Sequence, residues 1–254
     1  MTAGTASAPT LVAVAHGSPD PRAQHAVRAL VRLVGALRPG LRVELGYLET
    51  DRPLLRDTLA GLSGTAVLVP LLFSRGYHVK HDLPAVLAAA RAAGRLDAVT
   101  AACLGPHPLL AEVLHQRLLE AGYRRGSPVV LAAAGSLDPE SAAGTRHTAD
   151  LLSTRLGGVP VLPGYASAAQ PTVPEAVAAL RADRHPAAHI AVASCFVAPG
   201  LFATRCAEAA PGVVSAPLGA HPILARLLLH RYDQARGIPT PRPSHVRRPL
   251  EAVR

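Results

Sequence analysis

Tryptophan is absent from this chain, methionine occurs once, and aromatic residues make up only 3% of its 254 residues. A core without large rings must pack on small aliphatic side chains, and an apolar content of 49% is ample for that. The same scarcity removes the ring platforms on which single-stranded nucleic acids stack. Lysine is nearly missing too, with Lys80 the sole example, so arginine supplies the net charge of +9. Five arginines against one glutamate fall between Arg236 and Arg254, which accounts for +4 of that total. No Lys/Arg run stands elsewhere, so no nucleic acid partner is expected. The remaining positive balance suits a polycarboxylate ligand. The three cysteines, Cys103, Cys195 and Cys206, lack Cys-x-x-Cys spacing and read as small buried hydrophobes. No stretch is long and apolar enough to span a bilayer, and residues 1–10 lack the basic start and apolar centre of a signal peptide. A cytoplasmic protein with no membrane partner is expected.

Against this plain background the chain repeats itself. Val-Ala-His-Gly-Ser-Pro-Asp-Pro at 14–21 returns as Ala-Ala-Gly-Ser-Leu-Asp-Pro at 133–139, and Gly-Tyr-Leu-Glu-Thr-Asp-Arg-Pro at 46–53 as Gly-Tyr-Ala-Ser-Ala-Ala-Gln-Pro at 164–171. Both pairs share an offset of 118 residues. Leu-Phe-Ser-Arg-Gly-Tyr-His at 72–78 matches Phe-Val-Ala-Pro-Gly-Leu-Phe at 196–202, and Leu-Gly-Pro-His-Pro-Leu-Leu-Ala at 104–111 matches Leu-Gly-Ala-His-Pro-Ile-Leu-Ala at 218–225. Glycines and prolines that set the backbone persist in both copies. The reactive groups do not: His16 becomes Ala134, Glu49 becomes Ser167 and His78 becomes Phe202. Scaffold kept twice and chemistry kept once points to a single active site in the N-terminal half.

Hydrophobic periodicity gives the layout. Strands are expected at 10–15, 42–48, 65–72 and 97–103, alternating with helices at 21–38, 53–62, 82–94 and 107–121. After a hinge at 123–128 the cycle returns, with strands near 128–133, 159–165, 188–195 and 213–216 and helices near 139–156, 173–182, 199–209 and 221–235. Strict alternation implies an α/β fold of two similar domains, each a parallel sheet of about four strands flanked by helices. The divisions are an extension at 1–9, a domain at 10–123 carrying the site, a degenerate repeat at 128–235, and a basic, proline-rich disordered tail at 236–254. Ligands of such sheets bind beyond the carboxyl ends of the strands. His16, Glu49 and His78 all fall at that edge although they are far apart in sequence.

Two histidines and a carboxylate form a common ligand set for a divalent first-row metal with open positions. The same groups can accept protons near neutral pH. Metal insertion into a macrocycle needs both properties. His81 lies three residues after His78, so an α-helical turn would let the pair share a metal; otherwise His81 is an outer or solvent-facing group. Asp82 reads as the cap of the following helix, with Pro84 in its first turn. His107 and His221, kept in both halves, read as structural caps. A histidine phosphatase also ends its first strand in His-Gly, but needs an arginine where Ala15 stands.

The chain resembles the CbiX/SirB family of class II tetrapyrrole chelatases. The resemblance is carried by Ala-His-Gly-Ser-x-Asp-Pro at 15–21, Leu-Glu-x-x-x-Pro at 48–53, Val-Pro-Leu-Leu-Phe at 69–73 and Gly-x-His-Val-x-x-Asp-Leu-Pro at 76–84. The C-terminal half looks like the degenerate domain of the long form of this family. The resemblance implies two domains facing a central cleft and insertion of Fe2+ or Co2+, as substrate, into sirohydrochlorin for sirohaem or cobalamin synthesis. It implies no organic cofactor. Carried over residue by residue, His16 and His78 are the metal-contacting, proton-accepting histidines, with Glu49 assisting. Ser18, Arg22, Arg52 and Arg75 are candidates for holding substrate carboxylates. A monomer or weak oligomer is expected, because two fused halves already form a cleft. The alternative is a metal or tetrapyrrole carrier that keeps the ligands without turnover.

Overall fold

The computed structural model of the chain describes residues 8–92, 94–183, 186 and 189–237. Most of the expected extension and tail lies outside the described residues. The N-terminal half runs β1 (Thr10–Ala15), α1 (Pro21–Leu37), β2 (Val43–Tyr47), α2 (Leu55–Ala60) and β3 (Gly64–Pro70), then a single π-helical turn (His78–Asp82). It ends with α3 (Leu83–Ala92), β4 (Leu96–Thr100) and α4 (Pro108–Glu120). The second half runs β5 (Val129–Ala133), α5 (Pro139–Arg155), β6 (Val161–Tyr165), α6 (Val173–Ala182), β7 (Ala191–Ser194), α7 (Leu201–Glu208) and α8 (Pro222–Ala235).

All pairings within the two sheets are parallel, in the orders β2-β1-β3-β4 and β6-β5-β7. The central strand β1 is buried along its whole length because helices cover both faces of its sheet. Leu11, Ala13 and Ala15 enter a cluster with α1, α4 and α8, while Val12 and Val14 enter another with Leu55, Leu59, Leu83 and Leu87. Helix α1 starts at Asp20, whose carboxylate accepts the Arg22 N–H, and Pro21 fits there because its missing N–H has no helical partner to lose. Ala23, Val27, Leu30 and Val34 then form the buried stripe.

The second sheet has three strands rather than the expected four. Val214 makes only an isolated parallel bridge with Val192. The reason is local: the N–H of Ser194, which would continue the ladder, donates to the Ser215 hydroxyl at 2.9 Å instead of to a backbone carbonyl. The two halves also exchange their last helices. Helix α4 packs on α5 and β7, and α8 packs on α1 and β3. One hydrophobic cluster consequently runs through both halves, from Leu11 and Leu114 to Leu131 and Leu228. Asp233 of α8 clamps Arg38 at the end of α1 through two oxygens. No described helix is long and apolar enough to cross a membrane.

Candidate metal centre

The site is built by three loops leaving neighbouring strands at one sheet edge. Past the end of the β1–β2 pairing, Leu48 N–H donates to Ala15 O and Glu49 N–H to His16 O, each at 2.9 Å, which sets Glu49 beside His16. That approach requires a glycine next to His16. Gly17 has φ +102°, and a Cβ there would lie 2.0 Å from the Glu49 carbonyl oxygen. Gly135 repeats the arrangement against Ser167 at 1.9 Å, which explains why the glycine survives in the half that lost its histidine. The Ser18 N–H donates to the Asp51 carboxylate at 3.1 Å and tightens the same turn.

His78 comes from the loop after β3. The His16 and His78 Nε2 atoms lie 3.0 Å apart, the rings meeting edge-on. A Glu49 carboxylate oxygen lies within 4.8 Å of both histidines' ligand nitrogens. His16 and Glu49 are exposed and His78 is half-buried. The three expected residues are therefore together, and among the described residues they form the single cluster spaced to hold a metal.

The other ring nitrogens fix what this pair can bind. His78 Nδ1 is 2.5 Å from an Asp82 carboxylate oxygen, and His16 Nδ1 is 3.2 Å from the Gly17 carbonyl. Both partners accept, which favours the tautomer with the hydrogen on each Nδ1. That tautomer turns an Nε2 lone pair of each ring towards the other. Two nitrogens about 2.1 Å from one ion and at right angles around it stand about 3.0 Å apart. The spacing suits adjacent ligands of a single divalent metal.

Asp82 differs from expectation. It does not cap α3; it sits inside the π-helical turn, where the Leu83 N–H reaches back to the His78 carbonyl. Closing a turn over i→i+5 brings i and i+4 together rather than i and i+3. Asp82 accordingly meets His78, and His81 does not; His81 is exposed and packs on the Tyr77 ring, centroids 4.6 Å apart. The i,i+4 spacing of His78 and Asp82 was visible in the sequence, but an α-helical start hid its meaning.

A cleft of about 600 Å³ opens in front of the pair. Equivalent positions of the two halves line it together: His16 and Ala134, Ser18 and Ser136, His78 and Phe202. Aliphatic side chains such as Val27, Leu71, Leu131 and Val197 line its walls. Glu49 turns to a smaller hollow behind, shared with Asp82 and Arg56. Of the candidates for carboxylate binding, only Ser18 lines the cleft; Arg22, Arg52 and Arg75 do not. Arg22 folds back on Asp20 at 2.7 Å, and Arg75 lies 3.9 Å from Glu140.

Residues outside the site behave as their repetition suggested. His107 and His221 cap α4 and α8, each Nδ1 accepting a backbone N–H at 3.1 Å from Leu109 or Ile223. Burial, with Arg231 and His230 nearby, pushes His107 down to about 4. The three cysteines are free and buried. Burial raises the Cys103 and Cys206 thiols to about 11 and Cys195 to about 12, so none is a thiolate at neutral pH.

Known proteins share this architecture. SirB from Bacillus subtilis with Fe3+ superposes with a TM-score of 0.76 at 21% identity, covering 89% of this chain and 95% of that one. Sirohydrochlorin chelatase SirB from Bacillus subtilis subspecies spizizenii, in complex with cobalt, gives 0.72 at 21% identity over 90% and 96%. In sequence, the sirohydrochlorin cobaltochelatase of Methanosarcina acetivorans is 27% identical over 123 residues, which are 44% of this chain but 95% of the relative. That relative corresponds in length to one half. The CbiX family model matches twice, over residues 10–121 and 128–235, and the chain therefore belongs to the CbiX family.

Proposed function

We propose that this protein is a sirohydrochlorin chelatase, inserting Fe2+ or Co2+ into the macrocycle on the route to sirohaem or cobalamin. The observation that carries the reading is the His16–His78 pair, 3.0 Å apart at the mouth of an apolar cleft, with Glu49 beside it. Residues 10–123 form the half that acts, and 128–235 the half that completes the cleft. The reaction conserves charge: one M2+ enters as two pyrrole N–H protons leave. His16 and His78 present Nε2 lone pairs that hold the incoming ion and take up departing protons in turn. Asp82 keeps the His78 proton on Nδ1 and so keeps Nε2 free. Glu49 adds negative charge that favours a dication at this edge. The walls of the cleft suit the flat face of a macrocycle, whose carboxylates extend towards Ser18 and the loop amides around it. A single chain suffices, and we place the reaction in the cytoplasm.

A carrier would hold the same ligands without turnover. Anaerobic incubation of a large excess of sirohydrochlorin and Co2+ over protein separates the two. A chelatase gives many metallated products per chain, whereas product limited to one per chain at a rate above background identifies a carrier.

A further inference from the structure

The second half keeps none of the reactive groups, yet it grips the loop that carries His78. Two contacts are shared symmetrically between the halves. A Cβ on Gly76 would lie 3.3 Å from the Ser136 hydroxyl, and one on its repeat partner Gly200 would lie 3.5 Å from Ser18, the partner of Ser136. Each half thus rests its third loop on the serine turn of the other.

The ionic contacts break that symmetry. In the first half, Asp20 is neutralised within its own turn by Arg22. The equivalents of these two residues are Asp138 and Glu140, so the arginine has become an acid. The resulting pair of carboxylates receives Lys80 from the other half, at 2.7 Å to Asp138 and 2.9 Å to Glu140. Lys80 sits in the π-helical turn, between His78 and Asp82. Its side chain is 26% exposed and that of Asp138 17%, so the Lys80–Asp138 contact is partly shielded from solvent and salt. The Ser74 and Ser141 hydroxyls, 2.7 Å apart, add a further tie on the same loop. On the opposite side the position of Lys80 is taken by Thr204, which offers no charge to Asp20.

We propose that Asp138 and Glu140 are positioning residues for the metal site: by holding Lys80 they fix the π-helical turn and keep His78 Nε2 aimed at His16. The degenerate half is then a one-sided latch on the loop of the active half. The proposal rests on the chelatase reading only for its consequence in turnover, since its geometry concerns binding of the metal alone.

Anaerobic titration with Co2+, without macrocycle, tests it on the full chain. Lys80→Met keeps the stem and removes the charge. Glu140→Arg recreates the self-satisfied turn of the first half and releases Lys80. Both are expected to weaken Co2+ binding on the order of tenfold, through loss of the partly shielded Lys80–Asp138 pair and the more exposed Lys80–Glu140 pair. Lys80→Arg restores the wild-type affinity. The thermal midpoints of all three stay near that of the wild type, because the affected side chains lie outside the hydrophobic core. In metallation assays kcat falls in the first two variants while KM for sirohydrochlorin holds. Unchanged Co2+ affinity in Lys80→Met and Glu140→Arg overturns the latch whatever the activity. A wild type that binds Co2+ no better than His78→Ala overturns the latch and the metal site together. Weakened binding in a protein that never metallates sirohydrochlorin upholds the latch and removes the chelatase reading.

Discussion

The grouping of His16, Glu49 and His78 at one edge was legible in the sequence because the repeat supplies its own control: the same backbone without the same reactive groups. Asp82 was not legible as the partner of His78, since its meaning depends on a turn type that residue identities do not announce. Gly17 shows how tightly single positions are held. Gly17→Ala forces an L side chain to φ +102° and into the Glu49 carbonyl. It should cost about 3 kcal/mol or more, read as a lower urea midpoint, and should displace Glu49 enough to weaken Co2+ binding. An unchanged midpoint would contradict the close approach. His107 sets a pH dependence. Its folded value of about 4 lies below the ordinary 6.5, so below pH 6.5 the unfolded chain binds a proton that the folded chain refuses. The stabilisation is whole above pH 6.5 and is lost as pH falls towards 4, on the order of 2–3 kcal/mol. His115, His221 and His230 shift the same way through burial. Urea denaturation at pH 7 and pH 4.5 should show the loss, and His107→Asn, which keeps a capping oxygen but does not titrate, should reduce it.

At the scale of elements, periodicity located the described strands and helices to within a few residues, with two exceptions. The fourth strand of the second sheet fails because the Ser215 hydroxyl takes the Ser194 N–H. The helix expected from residue 82 is preceded by the π-helical turn, whose pattern of bonds leaves no hydrophobic signature. In the proposed reading that turn carries the metal-binding His78. Asp82→Asn preserves its shape but removes the charge that holds the His78 tautomer. Outer partners of ligating histidines are worth about 10- to 100-fold, so kcat should drop by that order with KM for sirohydrochlorin unchanged. Equal kcat in Asp82→Asn would mean that the turn alone orients His78.

The two similar halves share one hydrophobic cluster. No periodicity reveals which neighbour a helix will choose, so the exchange of α4 and α8 could not be read from the chain. Leu114, fully buried in the shared cluster, should cost about 2–5 kcal/mol as Leu114→Ala and should move a single unfolding transition rather than split it. Two separated transitions would contradict the common core. The scaffold is doubled and the chemistry is single, so removing one histidine should leave no second site to take over. Anaerobic absorption spectroscopy of sirohydrochlorin with Fe2+ or Co2+ measures this directly. Wild type is expected to metallate it far faster than the uncatalysed reaction. His16→Ala and His78→Ala should each lose at least about 100-fold in rate. Metallation that persists at the wild-type rate in either variant would contradict the account.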